Sequence, residues 1–208
     1  MNLKQFYVAL VLIILLGSCK EKYTPKPRGF FRLDFPQKEY TSIQNGYPYL
    51  FEIPVYSVLT PDKNRNSGAY DINIEIPQNN AIIYITYKDL MPDNNYAKTN
   101  QTSFVKANNF ALAKLMEESR RFVYDHTIKA DAIDEQLYMN NSERVFGTIY
   151  FIKGNAASSI QFYITDSTKH FLRGSLYLNE VPNIDSIQPV IDFIRPDIIH
   201  LIETTTWN

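Results

Sequence analysis

Tyr70-Asp71-Ile72-Asn73-Ile74-Glu75-Ile76-Pro77-Gln78-Asn79-Asn80-Ala81-Ile82-Ile83-Tyr84-Ile85-Thr86-Tyr87 decides the fold. Tyr70, Ile72, Ile74 and Ile76 alternate with Asp71, Asn73 and Glu75, the period of two that makes one face of a strand apolar and the other polar. Pro77 to Asn80 is turn chemistry, because proline presets φ and asparagine bonds its own backbone. Ala81 to Tyr87 is β-branched and aromatic, so it pairs back antiparallel on the first strand. A lone hairpin is marginal in water. The rest of the chain must supply further strands and a cover for the apolar face.

Polar loops flank the hairpin, Asp62 to Gly68 before it and Leu90 to Thr99 after it, the second centred on Pro92-Asp93-Asn94-Asn95. Then the period changes. From Thr102 or Ser103 to about Tyr124, Phe104, Ala107, Ala111, Leu115 and Phe122 fall on one helical face with Leu112 beside it, while Glu117, Glu118, Arg120 and Arg121 fall elsewhere. Thr102 or Ser103 is placed as its N-cap. Strands return in four runs, Ile133 to Tyr138, Arg144 to Ile152, Ser159 to Thr165 and His170 to Leu178. Their short connections predict an antiparallel meander. Asp185-Ser186-Ile187-Gln188 reads as a capping box with Pro189 in the first turn. Ile187, Val190, Ile191, Ile194, Ile198, Leu201 and Ile202 make the apolar stripe of a last helix, which Pro196 should kink or break. The prediction is an α+β fold: a mostly antiparallel sheet packed by one long middle helix and one C-terminal helix, a single domain over residues 37–208.

Composition agrees with a packed core. Of 208 residues, 45% are hydrophobic and 14% aromatic, more apolar area than an unstructured chain carries. A formal net charge of -1 gives no electrostatic reason for a nucleic-acid partner, and none is expected.

The N-terminus is an address. Lys4 precedes the uninterrupted run Phe6 to Leu16, too short for a bilayer-spanning helix of about twenty residues. Leu16-Gly17-Ser18-Cys19 follows, and Cys19 is the only cysteine of the chain. The segment resembles a bacterial lipoprotein signal, which implies a signal peptide over residues 1–18 and acylation of Cys19 on thiol and amine. Lipidation leaves no thiol for a disulfide or a metal-thiolate site, and several acyl chains exceed what stable anchoring requires. Residues 19–36 carry Pro25, Pro27 and Pro36 among Lys22, Lys26, Arg28 and Arg32. That composition favours extended backbone and reads as a semi-rigid tether, its cations either lying on anionic lipid or simply solvated. The retention rules that Lys20 and Glu21 bear on do not decide between inner and outer membrane.

Reactive constellations are sparse. Asp166-Ser167-Thr168-Lys169-His170 gathers acid, hydroxyl and imidazole, but on one hairpin turn, where Asp and Ser cap their own backbone. His126, His170 and His200 lie far apart with no metal-ligand spacing, so neither metal nor cofactor is expected. Arg173, among Phe171, Ser175 and Tyr177 on one strand face, is either a cation–π binding residue or a packed scaffold residue.

Four blocks together resemble the gliding motility lipoprotein GldD family of Bacteroidetes. They are Tyr23 to Arg32, His126 to Asp131, Gln161 to Gly174, and Asp197 to Thr204 with Trp207. The resemblance implies a lipid-anchored envelope protein facing the periplasm, required for gliding motility and the linked type IX secretion machinery. It further implies membership of a membrane-attached assembly with a haemolysin-C-like transmembrane partner. No catalytic residues come with it, and Asp166, His170 and Arg173 stand as a candidate partner-contact patch. The competing expectation is an envelope hydrolase acting on lipid or peptidoglycan through a His and carboxylates gathered by the fold.

Overall fold

The computed structural model describes residues 33–91, 101–125, 129–180 and 183–208, by backbone alone at 101–107. The expected signal peptide, Cys19, most of the expected tether and His126 lie outside the described residues.

The quoted hairpin forms as β5 (Ile72–Ile76) and β6 (Ala81–Asp89), joined by a short 3-10 turn over Pro77–Asn79, with Asn80 in the left-handed region at φ 49°. Ile72 sits opposite Ile85 and Ile76 opposite Ala81. Two details depart from simple alternation. Tyr70 stays outside the strand and is exposed. Asp71, read as solvent-facing, is buried, because its carboxylate accepts the Tyr87 and Gly68 backbone N–H groups at 2.8 and 2.7 Å.

The second-half strands also form: β7 (Ala130–Asn140), β8 (Val145–Gly154), β9 (Ser158–Thr165) and β10 (His170–Leu178). With β4 (Val58–Pro61) they build a seven-stranded sheet in the order β4-β5-β6-β10-β9-β8-β7, every neighbour antiparallel. β10 closes the meander onto β6 and so occupies the centre. Gly174 is required there: a Cβ would lie 2.2 Å from the ring of buried Phe162.

One helix packs on each sheet face. α1 (Gln101–Tyr124) covers Tyr150, Ile152, Tyr163 and Phe171 with Leu112, Leu115 and Val123. It already includes Gln101, so neither Thr102 nor Ser103 is its N-cap. α2 (Ile184–Glu203) buries Ile187, Ile191, Ile194, Ile198, Leu201 and Ile202 on the opposite face, against Ile72, Ile74, Phe162, Ile164 and Leu172. The α+β class holds.

The start of α2 differs from the predicted capping box. Its N-cap is Asn183, without a side-chain bond, and the free Ile184 N–H is satisfied by the Asn155 Oδ1 from the β8–β9 turn at 2.9 Å. Gln188 instead donates to Asp192 at 2.8 Å. Pro189 and Pro196 both lie inside a helix that continues through them. Burial of Ile194, Ile198 and Leu201 on either side of Pro196 holds the ladder together where that proline removes a donor.

Small strands unpredicted by periodicity complete the α2 side. β1 (Tyr40–Ser42) pairs with β3 (Glu52–Pro54), and β2 (Tyr49–Leu50) with the last strand β11 (Thr206–Trp207). Leu33 to Asn208 forms one compact unit, so the folded part reaches back past residue 37.

Candidate functional site

The chain that follows the tether is fastened to α2. Lys38 crosses from just before β1 and places its ammonium 2.6 Å from Asp197 Oδ2, donating also to the Phe193 carbonyl at 2.6 Å and the Tyr56 hydroxyl at 2.8 Å. Tyr40 donates to Asp197 Oδ1 at 2.9 Å, and the Tyr56 hydroxyl donates to Oδ2. Asp197 is fully buried, while the Lys38 side chain is 29% exposed. Such a carboxylate is tolerable only with its lone pairs filled, which three donors achieve.

Packing frames the pair. The ammonium lies 3.4 Å over the Phe193 ring, and Phe35 stacks on that same ring at 4.3 Å between centroids. One turn on, His200 stacks on Tyr40 at 3.7 Å and bonds Glu52 at 2.7 Å. Pro196 matters here: it leaves the Asp192 carbonyl without its ladder donor, and the adjacent Phe193 carbonyl takes its extra bond from Lys38.

Electrostatics follow from burial. Burial lowers the Lys38 pKa, and its bond to Asp197 only partly restores it. Burial, then the Asp197 bond, raises Tyr40 to about 12 and Tyr56 higher still. Both phenols therefore remain donors. The arrangement holds charge in place, and its polar atoms are spent on one another.

The hairpin residues singled out from sequence are placed differently. Asp166 is buried and caps its own turn, accepting backbone N–H bonds from Thr168, Lys169 and His170 at 2.8–2.9 Å and the Thr168 hydroxyl at 2.5 Å. Burial pushes its carboxyl up, but these bonds bring it net below the ordinary carboxylate value. His170 is 4% exposed, bonds the Tyr87 hydroxyl through Nδ1 at 2.8 Å, and stacks flat on Trp207 at 5.2 Å. Burial lowers its pKa despite the nearby Asp166. Arg173 points to the other sheet face and lies 4.4 Å over the Phe122 ring of α1, its pKa lowered by burial. The fold therefore brings Asp166 and His170 together and separates Arg173 from both. Of the two readings of Arg173, the packed scaffold is the one its geometry matches.

The sequence reading missed the Lys38–Asp197 fastening. One signal was available: Asp197 sits three residues after Ile194 and four before Leu201, on the apolar stripe itself, where an acid needs a buried partner.

The fold defines an α+β domain that clasps its own N-terminal segment, and among the described residues no helix is long and apolar enough to cross a membrane. The family model for gliding motility lipoprotein GldD matches residues 20–207, and the chain belongs to that family. Membership brings a membrane-anchored location in the cell envelope and a part in gliding motility; the family is not one of known enzymes. No curated protein matches the sequence. Among solved structures, cyanobacterial PsbP (CyanoP) from Synechocystis sp. PCC 6803, solved in solution, is similar over 89% of this chain and 100% of that chain, with 10% identity and a TM-score of 0.40.

Proposed function

We propose that the protein is a non-catalytic assembly or stabilising component of the gliding motility machine and the linked type IX secretion apparatus, held on its membrane by acylated Cys19 and facing the periplasm. The observation that carries the reading is the family match across residues 20–207, which includes the segment directly after Cys19. The Lys38–Asp197 clasp supports a mechanical role. It fastens the segment that follows the tether to the helix that covers the main core. A haemolysin-C-like transmembrane protein is the proposed neighbour, and the bilayer is the other partner.

The test is a strain carrying Cys19→Ala, compared with deletion and wild type for gliding, secretion and envelope fractionation. The expected result is loss of membrane retention together with loss of gliding. Normal gliding by a protein that is folded, exported and unlipidated would overturn the anchored-component reading. Normal assembly of the machine in the deletion strain would overturn the assembly role.

A further inference from the structure

Between the flank of α1 and the sheet lies a cleft that neither the clasp nor the Asp166 turn reaches. Thr86 and Lys88 of β6, Arg173 of β10, and Glu118 and Ser119 of α1 line it. In the pairing of β6 with β10, Thr86 lies directly opposite Arg173 and Lys88 opposite Phe171. The two cations therefore occupy diagonal positions on the α1 side of the sheet. The cavity measures about 60 Å³. That admits a few waters or one small polar molecule, and is far below the roughly 300 Å³ where drug-sized pockets begin.

The polar groups here are unspent, in contrast to those of the clasp. Among the described residues, no hydrogen bond or ion pair engages the side chains of Thr86, Lys88, Glu118 or Arg173. Arg173 sets its guanidinium 4.4 Å over the Phe122 ring. A π contact occupies the guanidinium face and leaves its in-plane N–H donors available. Glu118 is the first charge opposing the effect of burial on Arg173, so the two sense each other without meeting at salt-bridge distance. Ser119 donates its one hydroxyl proton to the Leu115 carbonyl at 2.8 Å, and its oxygen remains an acceptor.

Opposite charges that share a small cavity ordinarily pair with each other. Here two cations and a hydroxyl stand on the sheet side, a carboxylate and an acceptor oxygen on the helix side, and the cavity separates them. We propose that this cleft binds a small zwitterion carrying a carboxylate and an ammonium, a free amino acid of glycine or alanine size. Its carboxylate meets Arg173, Lys88 and the Thr86 hydroxyl, and its ammonium meets Glu118 and the Ser119 oxygen. A bare oxyanion satisfies the sheet side only and lies against Glu118. The site draws on neither the Lys38–Asp197 clasp nor Cys19.

The experiment uses the full lipidated chain in detergent. The probes are glycine, acetate and methylammonium, each followed by saturation-transfer NMR of its own protons, with inorganic phosphate as competitor. Glycine should saturate with a dissociation constant on the order of 1 mM, and acetate and methylammonium should each bind about tenfold more weakly. Lys88→Gln should weaken glycine about tenfold and leave the melting temperature unchanged, because Lys88 is exposed. Glu118→Gln should weaken glycine and strengthen acetate, an inversion that a packing defect would not produce. Arg173→Gln should abolish both; if it also lowers the melting temperature, the Lys88 and Glu118 variants decide. Acetate binding as tightly as glycine, or phosphate displacing glycine at equal concentration, would overturn the zwitterion in favour of an anion alone. No saturable glycine signal, or one that neither the Lys88 nor the Glu118 variant moves, would overturn the site itself.

Discussion

The Lys38 ammonium and the Asp197 carboxylate meet at 2.6 Å although 159 residues separate them. Asp197 is the fully buried member, so removing its partner leaves an unpaired charge in the core. Lys38→Met should therefore cost about 2–3 kcal/mol, below the figure for fully enclosed pairs because Lys38 retains some solvent. Replacing both, Lys38→Met with Asp197→Leu, should recover much of the loss. Urea unfolding of the wild type, Lys38→Met and the double variant checks this, and equal destabilisation by the single and double variants would contradict it.

His170 predicts a pH dependence with a definite sign. Burial lowers its folded pKa below 6.5, with Asp166 and Asp89 opposing and Lys169 assisting. As pH falls through 6.5, the unfolded state takes up the proton first, so stability declines until the folded pKa is reached. Melting temperature should drop between about pH 7 and pH 5, and His170→Asn should flatten that slope while lowering the plateau. A slope unchanged in the variant would assign it to other groups.

Gly174 sits where β10 passes the Phe162 ring, and an added methyl would lie 2.2 Å from two ring carbons. Gly174→Ala should destabilise by about 1–3 kcal/mol through overpacking. Combining it with Phe162→Leu should give a non-additive result, since the smaller side chain vacates the clashing volume. Denaturant midpoints would show whether the two effects simply sum.

Asn155 caps α2 from outside the helix, through its side-chain oxygen on the Ile184 N–H. Asn155→Ala should cost about 1 kcal/mol, the usual loss of a helix cap. Asp185→Ala, by contrast, should behave as an ordinary first-turn substitution, with a smaller effect that salt screens. Salt titration of the two variants separates them.

The sheet was legible because its strands announce themselves locally. Ile72, Ile74 and Ile76 alternate, and the runs ending at Thr165 and beginning at His170 are divided by a turn whose Asp and Ser favour capping their own backbone. Both helices were legible through their apolar stripes, although Asn183, not the Asp185 box, opens the second. What sequence left unread depends on pairing across long separations. β1 and β3, or β2 and β11, are two or three residues each, too short for any period. Asp166 and His170 were visible as a cluster, but whether they faced outward rested on Trp207, which arrives from the chain's far end to cover the imidazole. Arg173, three residues from His170, falls on the opposite face of the same strand.

The wide sequence span of the clasp also sets an order of assembly. Lys38 and Tyr40 are among the first residues of the folded unit to be synthesised, and Phe193, Asp197 and His200 among the last. Until α2 has emerged, the membrane-proximal segment has nothing to fasten to, and loop closure over so long a stretch comes late in folding. The clasp on Lys38 is therefore closed by the final helix, after the sheet it covers has been made.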